Sequence, residues 1–449
     1  MSKKYLYGAS VQGIQSFIFE TNKLKEIVGA SQLIDNINDK EFINFFNGRT
    51  KKSYNSNNVI INAAGNIKYI FDSKEDCEKI VREFPKHISN YAPGITISQA
   101  VQVMSDDLET DIYELERKLK TQRNKAQMPV DIGFMGLERA RKTGKVAIDT
   151  NKDGFIDSGT LAKTELPKND TLSLFKKFTK ENITEKNVPF DIEKITGKAE
   201  NSWLAVIHAD GNGLGSVLQN MAKGIKASKE FENGNAQQRN NLQKEVFNKF
   251  SKQLKAATEK AAQIAFSEIV KIDKNNIYPF RPVVLGGDDL TVIIRADLAY
   301  DFTKIFLRAF ERETETHFKE LNEYRLSKLT ACAGIAYIKD KYPFHYGVHL
   351  AESLVKEAKK FSKEEVRKNA KELAPSSIAF YKVQSSFTDD LKDMKARTHY
   401  ADASKVSFDY GPYLLEKKGD FANVGELDKL LDELKGFATK DSKGISKLR

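Results

Sequence analysis

The chain alternates between two kinds of hydrophobic spacing. Residues 5–12 read as a strand, and 16–46 as a long amphipathic helical region. Two short strands, 58–63 and 67–71, flank Ala64-Gly65-Asn66. Gly and Asn tolerate positive φ, so this is hairpin chemistry. A helix over 77–91, a strand over 95–104 and a helical period over 106–125 follow. The order then repeats. Residues 203–208 form a strand ending at Ala209-Asp210, and helical spacing runs to about 270. Strands 281–285 and 290–295 flank Gly286-Gly287-Asp288-Asp289. A helix over 298–321, a strand over 329–337, a helix over 347–362 and a strand over 378–383 complete the half.

Each half therefore reads strand, helix, hairpin, helix, strand. The predicted class is α+β: two ferredoxin-like palm (βαββαβ) domains with a helical insertion and a short helical C-terminal tail. The predicted domains are 1–129, a first, degenerate palm; 130–200, a connector; 201–385, a second, catalytic palm with the insertion at about 216–270; and 386–449, a helical tail whose last ten residues read as disordered.

Composition narrows the partners. Apolar residues are 40% and charged residues 30%, and no apolar run reaches the roughly 18 residues of a membrane helix. The first residues enter a strand directly, without a signal-peptide core, so a cytoplasmic protein with no membrane partner is expected. The two cysteines, Cys77 and Cys332, lack metal-ligand neighbours and read as buried small hydrophobes. The net charge of +10 suits triphosphates or RNA, and equally a lysine-rich solvated surface.

The candidate chemistry lies where the strand order converges. In a βαββαβ sheet the first strand lies beside the third, so the turn at 286–289 meets the end of the strand carrying Asp210. Phosphoryl transfer from a triphosphate needs divalent cations held by carboxylates. Mg²⁺ or Mn²⁺ is expected on Asp210, the Gly211 carbonyl and Asp288, because such ions take oxygen ligands. Alternation along a strand puts Asp288 and Asp289 on opposite faces, giving Asp289 a supporting role. Gly286 and Gly287 leave room for a triphosphate. Alone, the Gly-Gly-Asp-Asp run would be an ordinary tight turn; Asp210 at the adjacent strand end is what turns it into a site.

These residues resemble a known family. Gly13-Ile14-Gln15-Ser16-Phe17-Ile18-Phe19, Asn22-Lys23-Leu24-Lys25 and Gly29-Ala30-Ser31 carry the resemblance in the first half. Ala209-Asp210-Gly211-Asn212-Gly213-Leu214-Gly215 and Gly286-Gly287-Asp288-Asp289-Leu290 carry it in the second. The chain resembles the large polymerase/cyclase subunit of type III CRISPR effector complexes, which makes cyclic oligoadenylates. The resemblance implies ATP as substrate, a second palm that holds metal and donor triphosphate, and a degenerate first palm that helps bind a second nucleotide. It places Gly13, Ser16, Lys25 and Ser31 at the acceptor nucleotide. Lys359, with Lys356 one turn earlier, falls where diguanylate-cyclase-type palms carry a phosphate-contacting lysine. It further implies CRISPR RNA and effector-complex subunits as partners.

Departures from the family shape the reading. No His-Asp pair precedes the first palm, so nuclease activity is not expected. The connector lacks the cysteines of a zinc element. The guanine-reading positions of diguanylate cyclases fall near Ser216 and Val217, which leaves adenine as the base. Residues 149–157 match the start of a calcium loop, but the twelfth position is Thr160, so the segment reads as a polar turn rather than a cation site. His208 shares the face of Asp210 by alternation, and reads as a packed strand residue or a neighbour of the site. Three functions follow: a cyclic-oligonucleotide synthase, an RNA-binding structural subunit of the effector complex, or a cyclase making a cyclic mono- or dinucleotide. Monomer and homodimer both remain open.

Overall fold

A computed structural model describes residues 3–63, 65–125, 134–152, 154–166, 172–197, 202–366, 372–384, 390–401 and 406–438. The expected disordered end, Asp153 of the calcium-like segment and Ala64 of the first hairpin lie outside these residues.

The first half opens with β1 (Tyr5–Gln12), α1 (Ile14–Ile18), α2 (Leu24–Asn36) and α3 (Phe42–Arg49). It continues with β2 (Val59–Ala63), β3 (Asn66–Phe71), α4 (Lys74–Tyr91), β4 (Thr96–Val103) and α5 (Leu108–Arg123). The single helical region expected over 16–46 is thus broken. Lys23 is extended, and a π-helical turn over Ile37–Glu41 separates α2 from α3. The sheet order β2-β3-β1-β4 places the first strand beside the third, with antiparallel pairing throughout. Tyr7, Ala9 and Val11 pack on α2, α3 and α4, while Leu6 turns to Leu115 and Leu119 of α5.

The connector carries a hairpin, β5 (Ala147–Asn151) and β6 (Gly154–Asp157), then α6 (Ser158–Thr164), α7 (Ser173–Lys176) and α8 (Ile192–Thr196). The calcium-like segment is this hairpin. Asp157 accepts hydrogen bonds from the Thr160 N–H at 3.0 Å and the Thr143 hydroxyl at 2.8 Å, which makes it a helix cap.

The second half repeats the topology. It runs through β7 (Trp203–Gly211), α9 (Leu214–Lys226), α10 (Lys229–Asn233), α11 (Ala236–Ile269), β8 (Phe280–Gly286), β9 (Asp289–Arg295) and α12 (Ala296–His317). Then come β10 (Ala331–Lys339), α13 (Phe344–Lys360) and β11 (Ser377–Lys382). The tail holds α14 (Leu391–Thr398), the short ladder β12 (Tyr400–Ala401) with β13 (Val406–Ser407), β14 (Tyr413–Leu414) and α15 (Val424–Ala438). The tail is not only helical, because β14 pairs with β11 and extends the sheet to β14-β11-β10-β7-β9-β8. The core order β10-β7-β9-β8 is that of the first half.

Alternation divides the second sheet. Ala205, Ile207, Ala209, Leu290 and Val292 join a core with α11 and α12. Leu204, Val206, Ile293, Cys332 and Ala336 face the other way, into a core shared with α13 and with α2 of the first half. The Ser31 hydroxyl of α2 donates to the Val283 carbonyl of β8 inside that shared core. Both cysteines are buried, as their spacing implies. Trp203 is only half-buried, at the sheet's end, with the Lys339 and Lys382 ammonium groups 4.5 and 4.7 Å from its ring. Among the described residues no helix is long and apolar enough to cross a membrane.

Candidate active site

The site is built on register. Ala209 pairs with Leu290, so Asp210 and Asp289 stand opposite one another, one step further, at the end of β7 and the start of β9. Gly286 pairs with Asp289, leaving Gly287 and Asp288 as a two-residue turn. Gly287 has φ +62, and Asp288 is not among the residues with positive φ. That combination fits a type II′ turn, in which only the first central residue needs the left-handed region. Asp288 is therefore a turn residue, and the strand alternation expected to separate it from Asp289 does not apply. Both carboxylates lie close enough to Asp210 to feel its charge.

Asp288 packs on the far side of Asp210. A Cβ on Gly211 would sit 2.4 Å from Asp288 Oδ2, so only glycine lets this carboxylate lie against β7. Nothing stands within 4 Å of a Cβ built on Gly286 or Gly287, and the space above the turn is open.

One cation answers these charges. Lys359 Nζ, near the end of α13, donates to Asp210 Oδ2 at 2.5 Å and to the Gly211 carbonyl at 2.7 Å. Lys359 thus sits on two of the oxygens assigned to a metal. Among the described residues Lys359 is the side-chain cation recorded against Asp288 and Asp289. Burial, then Asp210, pushes the Asp288 carboxyl up; the Lys359 ammonium and backbone donors at Asp288 and Gly211 pull it partly back. Asp289 is pushed well above the ordinary carboxyl range by burial, Asp210 and Asp288. Glu352, two turns before Lys359 on α13, adds to both Asp289 and His208. Among the described residues no three His, Cys, Asp or Glu side chains are already drawn together as a metal cage. The donor set nevertheless fits a hard divalent cation: two carboxylates and a carbonyl, in excess negative charge, with the Lys359 ammonium where a cation belongs.

His208 is buried on the Asp210 face, with Nδ1 2.9 Å from the Thr291 hydroxyl. Burial lowers its pKa and keeps the ring neutral, against the pull of Asp210 and Glu352. It is a packed strand residue that also borders the site.

The other candidates are not gathered here. Lys356 is exposed beside Ser353, Glu357 and the tail residues Lys392 and Lys395. Lys25 opens on a cleft of about 1190 Å³ that includes Phe344, the first residue of α13. Lys359 lies at the other end of that helix, roughly 22 Å away at 1.5 Å per residue. Ser31 is spent on Val283 within the core and presents no face to a nucleotide. Gly13 and Ser16 are exposed at the end of β1.

The first half carries the same constellation without its charge. Gly13 and Gly213 begin the helices that follow β1 and β7, at φ/ψ of 66/28 and 65/34. Three residues before each stand Ser10 and Asp210. Ser10 pairs with Asn66 as Asp210 faces Asp289, and its hydroxyl donates to Asn66 Oδ1 at 2.9 Å. Arg123 is the last of the 16 residues of α5, the same step at which Lys359 stands counted from Phe344, and it donates to Ser10 Oγ at 3.0 Å. The turn itself is closed. Asn38 Oδ1 accepts the Gly65 N–H at 2.8 Å, and Val11 and Ile14 crowd Gly65. The sequence marked the first palm as degenerate but did not single out Ser10 and Arg123 in these places. Setting α5 and α13 side by side from their first residues would have found Arg123.

Comparison with known proteins bears on the fold that carries this site. Residues 203–370 match the family model described as Cas10/Cmr2, second palm domain. No curated protein matches the chain. Among solved structures, a Csm1–Csm4 cassette in complex with cA4 is 14% identical, with 99% of this chain and 64% of that chain covered at a TM-score of 0.50. The same cassette with pppApApA gives 14%, 99%, 63% and 0.49. Csm1 in T. onnurineus gives 14%, 84%, 53% and 0.46. This chain thus spans less than two thirds of the length of these solved chains. At such identity the likeness is one of fold.

Proposed function

We propose, on the premise that residues 203–370 are a second palm domain of the Cas10/Cmr2 family, that the chain is a metal-dependent nucleotidyltransferase. Its substrate is ATP, and its products are cyclic oligoadenylates and pyrophosphate, made as a signal in antiviral defence in the cytoplasm. One observation carries the reading. Asp210, Asp288 and Asp289 converge at one strand end with more negative charge than Lys359 balances, under an open turn of glycines. The solved cassette bound to cA4 supports the choice of adenylates.

The chemistry divides among these residues. Mg²⁺ or Mn²⁺ held by Asp210, the Gly211 carbonyl and Asp288 would lower the pKa of an attacking ribose hydroxyl and neutralise charge on the triphosphate. The hydroxyl oxygen attacks the α-phosphorus of a second ATP, the α–β phosphoanhydride bond breaks, and pyrophosphate leaves. Asp289, whose carboxyl is pushed up, holds the proton the hydroxyl gives up. Lys359 moves from Asp210 toward the phosphates, where its charge steadies the leaving group. Gly286 and Gly287 let the triphosphate approach the backbone.

The test is incubation of the pure chain with each of the four nucleoside triphosphates and Mn²⁺, with products weighed by mass spectrometry. Asp210→Ala and Asp288→Ala are expected to cut pyrophosphate release by about a thousandfold, since metal ligation supplies several kcal/mol. Wild-type turnover in either variant would overturn the assignment. The masses also separate cyclic oligomers from a cyclic mono- or dinucleotide.

A second reading rests on charge and on the cassettes, in which Csm1 is joined to Csm4. In it the chain is an RNA-binding structural subunit of an effector complex. Co-purification with small RNA and partner subunits, together with inactivity of the pure chain, is the outcome that favours it.

A further inference from the structure

The insertion that separates Asp210 from Gly286 touches the turn through Thr258. Thr258 lies on α11 and is 1% exposed. Its hydroxyl is 2.7 Å from the Gly287 carbonyl and 2.9 Å from the Leu254 carbonyl of its own helix. Leu254 already has a helical partner for that oxygen. Gly287 lies in the turn, outside the ladder.

In a two-residue hairpin turn the central peptide is the part the ladder does not hold. Types I′ and II′ differ by a flip of that peptide. Type I′ needs positive φ at both central residues, whereas type II′ needs it only at the first. The Gly287 oxygen therefore reports which turn is made. Thr258 holds that oxygen in the orientation that leaves Asp288 at negative φ, with its carboxylate against Gly211. We propose that Thr258 is a positioning residue: its hydroxyl fixes the 287–288 peptide and, through it, the Asp288 carboxylate. The consequence for metal binding rests on the assignment of Asp288 under the proposed function. The hold on the turn does not.

Two readouts separate these layers in the full chain. Hydrogen exchange over residues 284–291, followed by mass spectrometry, reports the turn. Mn²⁺ affinity without nucleotide, followed by electron paramagnetic resonance, reports the carboxylate. Thr258→Val keeps the shape and removes the hydroxyl; Thr258→Ala is a second variant without it, for use if Val does not fold; Thr258→Ser restores it. The expected result is faster exchange and about a fivefold to tenfold weaker Mn²⁺ affinity in T258V, the worth of one hydrogen bond. T258S should stay within about twofold of wild type on the same scale. Wild-type exchange and affinity in T258V would overturn the proposal, and so would T258S as defective as T258V, since the hydroxyl it retains would then not hold the turn. Faster exchange in T258V with no Mn²⁺ bound by any chain would sustain the contact and sink the metal reading instead.

Discussion

At the scale of single residues the site is a place where charge is held against the fold's interest. Asp288 and Asp289 both bind their protons more tightly in the folded chain than in an unfolded one. The sign follows from linkage. A raised native pKa favours folding below the unfolded value, and that advantage is lost as pH rises through the native one. Above those native values the ionised carboxylates therefore weigh against folding. Asp289→Asn removes one such charge with little change of shape. Its melting temperature in metal-free buffer at about pH 7.5 should exceed that of wild type, and the gap should close toward about pH 4, where Asp289 is itself neutral. The same variant should lose turnover. A melt in which D289N is no more stable than wild type at the higher pH would show that Asp289 carries no buried penalty. A site that gains stability when its carboxylates are removed is a site kept for binding a cation.

At the scale of elements the question is what keeps α13 in place, because α13 brings Lys359 and Glu352 to the carboxylates. The tail supplies part of the answer. Lys395 of α14 reaches Glu357 of α13 at 2.5 Å and Asp409 at 2.6 Å, and its side chain is 9% exposed. Lys395→Met keeps the packing stem and leaves both acids without their cation. Glu357 and Asp409 stay partly hydrated, so the expected loss is about 1–3 kcal/mol of stability in denaturant melts, below the range for a fully buried pair. Turnover should fall with it as α13 loosens. An unchanged melt would mean that the tail merely rests on the palm. This clamp was not legible in the sequence, where the tail read as a lysine-rich helical stretch. The strand order was legible, because alternation and helical spacing are local patterns. Asp210 beside 286–289 was legible for the same reason, since one topology fixes which strand ends are neighbours. The placement of Asp288 was misread, because a two-residue turn obeys turn geometry and not strand alternation. Thr258 and the burial of Ser31 depend on packing between segments distant in sequence, and no local pattern records that.

At the scale of the whole molecule, the two palms share one topology and differ in chemistry. In the second palm Asp210, Asp289 and Lys359 surround an open turn. In the first, Ser10, Asn66 and Arg123 take the same places, and Asn38 locks the turn from within. Neutral groups in place of carboxylates cannot hold a divalent cation, so each chain should carry one metal-binding centre. All three acids come from β7 and the β8–β9 turn of the same palm, and the two palms share one core through α2. No second chain is required to complete the carboxylate set. Mixing Asp210→Ala with Asp288→Ala chains should therefore restore no activity, and the wild-type rate should rise linearly with protein concentration. Ser10→Ala and Asn66→Ala should leave Mn²⁺ binding within about twofold of wild type, whereas D210A should abolish it, as expected where charge rather than neutral hydrogen bonding holds the ion. Recovery of turnover on mixing the two inactive chains would show that the centre is assembled between chains, with Asp210 and Asp288 drawn from different copies.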